Sequence, residues 1–163
     1  MKKPLVGILM GSESDLTVME GAAAVLKEMG VCCEMSIISA HRLPDETAEY
    51  ARSARKRGID VLIAGAGMAA HLAGSLASNT TLPVIGVPLE SGALSGVDAL
   101  YSTVQMPQGV PVATVAINGA KNAAYLACSI LSIKHPAVAA ALEAYRAETR
   151  KRLIRNNIEL QKK

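Results

Sequence analysis

The chain has 163 residues, half of them hydrophobic, and a formal net charge of +3. This length predicts a single domain over residues 1–163 with its own hydrophobic core, and no apolar run approaches the ~20 residues needed to cross a membrane. Phenylalanine and tryptophan are absent and only four tyrosines are present, so the chain offers little aromatic surface for stacking bases, which argues against nucleic-acid binding.

Short apolar runs alternate with helical patterns along the chain. The first run is continuously apolar, as expected for a strand buried on both faces. The helix that begins at Pro44 has acidic residues in its first turn and basic residues in its last, which suits the helix dipole. The predicted strands are 5–10, 33–38, 61–64, 83–87 and 112–117. The predicted helices are one between Asp15 and Gly30, then 44–57, one that follows the glycine-rich stretch 65–74, and then 98–104, 121–133 and 136–160.

This alternation predicts an α/β fold, a three-layer sandwich in which a parallel sheet carries helices on both faces. The last helix is long and highly charged, so we expect residues 136–163 to form a helical extension that projects from the body or packs on another subunit. Much of the basic excess lies in residues 150–163, which is more typical of a solvated helix face than of a nucleic-acid patch.

The three cysteines are Cys32, Cys33 and Cys128. Their number is odd, and their spacing matches neither a metal site nor a Cys-x-x-Cys motif. We interpret them as buried thiols in a reducing compartment, which predicts a cytoplasmic protein.

Four polar loops each follow a predicted strand directly, namely residues 11–15, 39–44, 65–74 and 88–96. The carboxyl ends of parallel strands meet at one edge of a sheet, so these loops are expected to surround one ligand site. Glycines in three of these loops permit close backbone approach, and amide groups at helix starts favour an anion. The pattern predicts a site for a phosphate-bearing small molecule. It does not predict a dinucleotide site, because Gly65-x-Gly67 lacks the third glycine of that fingerprint.

The second of these loops combines a hydroxyl, an imidazole and a guanidinium in Ser39, His41 and Arg42. An imidazole exchanges protons near neutral pH, and a guanidinium holds a phosphate or carboxylate through two parallel hydrogen bonds. Acid–base chemistry beside an anion clamp is therefore the working hypothesis.

Several polar residues have a purely structural alternative. Ser12, Ser14 and Asp15 fit a helix-capping pattern. His71 lies in an apolar, glycine-rich turn, where it is either a hydrogen-bonded core histidine or part of a site wall, and His135 fits a surface turn. No metal-binding spacing joins the histidines and no carboxylate cluster accompanies them, so we expect no metal site.

Several linked motifs resemble the N5-carboxyaminoimidazole ribonucleotide mutase family (class I PurE), in the same order and over about residues 5–133. The motifs are Gly-Ser-Glu-Ser-Asp at 11–15, Ser-Ala-His-Arg-Leu-Pro at 39–44, Ala-Gly-Ala-Gly-Met-Ala-Ala-His-Leu-Ala-Gly at 64–74, Gly-Val-Pro at 86–88 and Val-Gln-Met-Pro at 104–107. The resemblance implies a flavodoxin-like fold and an octameric assembly. It also implies conversion of N5-carboxyaminoimidazole ribonucleotide to 4-carboxy-5-aminoimidazole ribonucleotide in purine (IMP) biosynthesis.

The resemblance also implies roles for individual residues. His41 is the acid–base residue, whereas Ser12, Asp15 and Arg42 hold the ribose phosphate. The full set of implied substrate-binding residues is Gly11, Ser12, Ser14, Asp15, Ser39, Arg42, Gly67, Ala70, His71 and Leu72. The sequence departs from the family's usual residues at Met68, where glycine is usual, and at Leu43, Ala73 and Ala99.

The implied reaction moves carbon dioxide one way and a proton the other, which one imidazole can serve, so no biotin, metal or ATP is expected. Two alternatives stay open. One is a carboxylase that adds carbon dioxide from solution to aminoimidazole ribonucleotide. The other is a non-catalytic protein that binds a phosphosugar, since a fold alone does not establish chemistry.

Overall fold

A computed structural model describes residues 3–162 of the chain. Residues 1 and 2 of the predicted domain, and residue 163 of the predicted helical extension, lie outside the described residues. The strands are β1 Leu5–Met10, β2 Cys32–Ile37, β3 Val61–Gly67, β4 Val84–Leu89 and β5 Ala113–Thr114. The helices are α1 Leu16–Glu28, α2 Pro44–Arg57, α3 Leu72–Ala77, α4 Val97–Val104, α5 Ala120–Ser132 and α6 Pro136–Leu160.

All five strands pair in parallel, in the order β2-β1-β3-β4-β5. This is the strand order of flavodoxin-like, doubly wound sheets. The predicted α/β class and its three layers are confirmed.

Successive residues of the central strands point into two different cores, because side chains alternate across a strand. Val6 and Ile8 of β1 belong to a core shared with α1 and α5. Leu9, between Ile8 and Met10, belongs to a second core shared with α2 and α3. Both faces of β1, β3 and β4 are therefore covered, as their continuously apolar sequences predict.

The edge strand β2 differs from this expectation. Its residues are half-buried or exposed, and Cys32 lies exposed while Cys33 is half-buried. The prediction of buried thiols is therefore wrong for Cys32, because an edge strand is only partly covered by the helices beside it. Cys128, on α5, is fully buried in the first core, and burial raises the pKa of its thiol to about 11.

Strand β5 is shorter than the predicted 112–117. Gly86 and Pro88 of β4 both accept hydrogen bonds on this side, from the Val115 and Asn118 amides. A proline has no amide hydrogen to donate in return. The hydrogen bond that a residue 88 amide would donate to β5 is therefore missing, and only Ala113–Thr114 forms a regular strand.

The final helix has two distinct halves. Val138 and Leu142 are buried against the body, and Tyr145 stacks on Tyr125 of α5 with ring centroids 4.7 Å apart. From Arg150 to the end of the described chain every residue is exposed. The outer half of this helix therefore has no contact with the body of the same chain. None of the described helices is long and apolar enough to cross a membrane.

Candidate active site

The four polar loops meet at one edge of the sheet around a cavity of about 570 Å³. This volume lies within the usual range of small-molecule sites. The implied site residues in its wall are Gly11, Ser12, Ser14, Asp15, Ser39, His41, Arg42, Gly67, His71 and Leu72. Ala70 does not contribute to the wall, because it is buried behind the loop. The cavity thus brings together implied site residues that lie up to 61 positions apart, from Gly11 to Leu72.

The loop after β1 is held by its own side chains. The Ser12 amide donates to Asp15 Oδ2 at 3.0 Å, and the Ser14 amide donates to Ser12 Oγ at 3.3 Å. These bonds form the capping box predicted as the structural alternative for this loop. The same three side chains also line the cavity, so Ser12, Ser14 and Asp15 both cap the loop and present polar groups to the cavity.

Asp15 lies partly withdrawn from solvent at this loop. Burial raises the pKa of its carboxyl, and the hydrogen bonds from Ser12 and Ser14 offset that effect only in part. The oxygens of this carboxyl can accept hydrogen bonds from the hydroxyl groups of a ligand.

Arg42 bridges two neighbouring loops. Its Nε donates to Ser39 Oγ at 3.2 Å, and its Nη2 donates to the Gly11 carbonyl at 3.0 Å. Both anchors come from the protein, so the guanidinium is held in place over the ends of β1 and β2 before any ligand arrives. The remaining donors are free for an anion, and the fixed plane suits a phosphate.

His41 and His71 lie next to each other in the cavity wall, with ring centroids 5.3 Å apart and planes inclined by 35°. Both residues are exposed, so His71 belongs to the site wall and is not a core histidine. His41 follows β2 and His71 follows β3, and the shared sheet edge explains why two residues 30 positions apart come together. His135 is half-buried at the start of α6, outside the cavity.

Met68 lies at the mouth of the cavity with 60% of its surface exposed. Its φ is +53°, in the left-handed region that favours glycine. This geometry accounts for the glycine that the resembling family usually carries here. The methionine directs its side chain outward instead of filling the site.

Ser91 is a wall residue that the sequence did not single out. It lies in the polar loop after β4, which the chain order did identify as part of the site. Nothing in the local pattern distinguishes it from the other serine of that loop, Ser95. Only the close approach of this loop to Gly67 identifies Ser91, since a Cβ at position 67 would overlap the Ser91 hydroxyl.

Residues 3–162 hold no cluster of three or more histidine, cysteine, aspartate or glutamate side chains placed to bind a metal ion. The wall of the cavity instead combines hydroxyls, two imidazoles, one carboxyl and one guanidinium. Chemically, this set can hold an anion at one end and move a proton at the other.

The chain is similar to several known proteins. Residues 5–152 match the family described as AIR carboxylase. The chain is 59% identical to the N5-carboxyaminoimidazole ribonucleotide mutase of Pyrococcus horikoshii, over 93% of this chain and 86% of that protein. It is 57% identical to the mutase of the same name from Thermotoga maritima, over 93% and 88% of the two chains. The crystal structure of Treponema denticola PurE superposes with a TM-score of 0.87 at 30% identity, over 97% of this chain and 99% of that one. The chain belongs to the AIR carboxylase family.

Proposed function

We propose that this protein is an N5-carboxyaminoimidazole ribonucleotide mutase, which converts that carbamate into 4-carboxy-5-aminoimidazole ribonucleotide in purine biosynthesis. Two relatives that carry this name match most of the chain at 57% and 59% identity. The observation that carries the proposal is the placement of His41 beside an anchored Arg42 in one cavity. This arrangement pairs a proton carrier with an anion clamp.

In the proposed reaction, His41 donates a proton to the carbamate nitrogen as the nitrogen–carbon bond breaks and carbon dioxide is released. The electron-rich aminoimidazole ring then attacks the carbon dioxide through C4, which forms the new carbon–carbon bond. His41 takes the C4 proton, which restores the aromatic ring and returns the imidazole to its starting state. Atoms and charge balance without a second reactant.

The remaining wall residues have supporting roles in this proposal. Arg42 holds the phosphate through its free donors, together with Ser12. Asp15 accepts hydrogen bonds from the ribose hydroxyls. Ser39 keeps Arg42 in place through its 3.2 Å bond. Gly11, Ser14, Gly67, His71 and Leu72 complete the binding site in the same proposal, and Ala70 packs behind it.

The test is turnover of the carbamate by the wild-type protein and by His41→Asn. We expect His41→Asn to bind the ribonucleotide but to lose interconversion in both directions, because the same group serves both proton transfers. His135→Asn is the matched control, since His135 lies outside the cavity, and it should turn over normally. An active His41→Asn enzyme would remove His41 from the mechanism.

Labelled bicarbonate separates the mutase from the other hypotheses. A mutase transfers the carbamate carbon to C4 with little dilution by label. A carboxylase incorporates the label from solution. A phosphosugar-binding protein binds the ribonucleotide and converts nothing.

We also propose that the protein is a cytoplasmic homo-oligomer, an octamer by the family resemblance. The exposed outer half of α6 supports assembly, because it carries Leu153, Ile154 and Ile158 on its surface. The three cysteines form no disulfide, which is compatible with a reducing compartment.

A further inference from the structure

One polar atom in this protein is buried without a hydrogen-bond partner. The Ser91 hydroxyl oxygen is shielded from solvent, and it is the sole buried side-chain nitrogen or oxygen within residues 3–162 that lacks a partner. Such a group destabilises the fold, since it has left water without gaining a replacement bond. An alanine here would occupy the same place without that cost, so the fold alone does not account for the serine.

The location of Ser91 indicates where a partner comes from. Ser91 lies two residues after β4 and forms part of the same cavity wall as His71. Its hydroxyl packs against Gly67, and a Cβ on residue 67 would overlap that hydroxyl and come within 3.2 Å of the Leu89 carbonyl. The glycine therefore lets the loop after β4 lie directly on the end of β3, which places Ser91 at the cavity.

Ser91 is at the opposite end of the site from the anion clamp. The order of strands places the loops after β2 and β1, which carry Arg42 and Ser12, on one side, and the loops after β3 and β4 on the other. Neighbouring strands are ~4.8 Å apart, so the ends of β1 and β4 are separated by roughly 10 Å. A ribonucleotide whose phosphate lies at Arg42 therefore extends its base toward Ser91, past His41 and His71.

We propose that the Ser91 hydroxyl donates a hydrogen bond to the carboxylate that the reaction creates on the base, and so favours the carboxylated ribonucleotide over the one that lacks this group. This inference rests on the proposed function. A change between staggered χ1 rotamers presents the hydroxyl to the ligand, because the residue already forms part of the wall. The hydroxyl thus gains in the complex the partner that it lacks in the free protein.

Ser91→Ala tests this proposal by calorimetry with two ligands that differ only in the carboxylate. These are 4-carboxy-5-aminoimidazole ribonucleotide and 5-aminoimidazole ribonucleotide. We expect the variant to bind the carboxylated ligand about 10- to 100-fold more weakly, as for loss of one hydrogen bond to a charged acceptor. Binding of the ligand without the carboxylate should stay the same. Ser95→Ala is the matched control in the same loop, outside the cavity wall, and should bind both ligands as the wild type does.

Thermal unfolding of the free protein provides an independent readout. Removal of an unpartnered hydroxyl should leave the melting temperature of Ser91→Ala unchanged or raise it. A lower melting temperature would assign the serine a structural role and overturn the proposal. An equal loss of affinity for both ligands, or no loss for either, would overturn it as well.

The binding measurements need no turnover, so the two proposals fail separately. A wild-type protein that discriminates between the ligands but does not interconvert its substrate overturns the proposed function alone. If the wild type turns over normally and Ser91→Ala changes the affinity for both ligands equally, only the role of Ser91 is overturned. A wild-type protein that binds neither ligand overturns both.

Discussion

At the scale of single residues, the backbone of Met68 is under strain next to the proposed reaction. Its φ of +53° is one of three positive values among the described non-glycine residues, the others being at Ser95 and Asn118. Asn118 offsets the strain because its Oδ1 accepts a hydrogen bond from the Glu90 amide and its Nδ2 donates one to the Glu90 carboxylate. No side-chain bond of this kind supports Met68, whose thioether extends into solvent.

Two substitutions at Met68 separate backbone strain from the side chain. Met68→Ala removes the thioether but keeps a Cβ in the left-handed region, whereas Met68→Gly removes both. We expect the glycine variant to have a free energy of unfolding about 1 kcal/mol higher than the alanine variant, since glycine adopts this conformation without a steric penalty. Urea unfolding of the two proteins measures the difference. Equal values would mean that the loop relaxes and stores no strain.

The candidate site was partly predictable because its residues follow strands in order. His41 and Arg42 come directly after an apolar run, and parallel topology then places them at the ligand edge. Ser91 was not predictable in the same way, because its unusual state depends on contact with Gly67, which is 24 positions away. For His71 the sequence does not decide between a core histidine and a residue of the site wall, since its apolar neighbours do not reveal which side of the turn faces the cavity.

At the scale of secondary-structure elements, the tie between β2 and α2 stabilises the exposed edge of the sheet. Tyr50 of α2 donates to Glu34 of β2 at 2.7 Å, and Arg57 pairs with the same carboxylate while it lies over the Tyr50 ring. Burial alone would raise the pKa of Glu34, but the bonds from Tyr50 and Arg57 outweigh it and lower that pKa. These residues connect the second core to a strand that the helices cover only in part.

We expect Glu34→Gln to lower the free energy of unfolding at neutral pH by roughly 0.5–1 kcal/mol, because the pair is partly exposed and screened. The folded pKa lies below the unfolded value of about 4.3, so this stabilisation is complete above that pH and is lost as the pH falls through the folded pKa. Urea unfolding between about pH 7 and pH 3 should show the two proteins converging in acid. Glu49→Gln, on an exposed position of α2, should show no such pH-dependent difference. A constant gap between wild type and Glu34→Gln at all pH values would contradict the assignment.

The sequence patterns predicted burial correctly at the centre of the sheet, although β3 extends to Gly67 beyond the predicted 61–64, and they overestimated burial or length at the two edges. The runs that became β1, β3 and β4 are apolar throughout, because both of their faces are covered. At β2 the same interpretation overestimated burial for Cys32. At β5 it overestimated length, because Pro88 on the neighbouring strand removes a donor that the pattern of 112–117 does not reveal. The burial and length of an edge strand depend on the elements packed beside it, and the sequence of that strand alone does not specify those elements.

At the scale of the whole molecule, the outer half of α6 is the largest feature that the core leaves uncovered. Ile154 and Ile158 lie one turn apart and are 45% and 49% exposed. We expect the double substitution Ile154→Glu and Ile158→Glu to reduce the proposed oligomer to smaller species, because charged side chains oppose burial in an interface. Light scattering at micromolar concentration would measure the mass, with circular dichroism as the check on folding.

The matched control is Glu143→Gln with Glu148→Gln, which changes exposed charges on the inner half of the same helix. This control should keep the mass of the wild type. A wild-type protein that is a monomer, or a double isoleucine variant with unchanged mass, would show that this helix does not hold the assembly together.

The same half-helix has a consequence for the lifetime of the chain. It carries Arg150, Lys151, Arg152 and Arg155 on a segment without tertiary support, and short unsupported helices open readily in water. Open, basic segments are preferred substrates of trypsin-like proteases. If partner subunits cover this segment, newly made chains are open to degradation until they assemble, and assembled chains are protected. Proteolysis would then remove chains that have not found partner subunits and would spare the assembled enzyme.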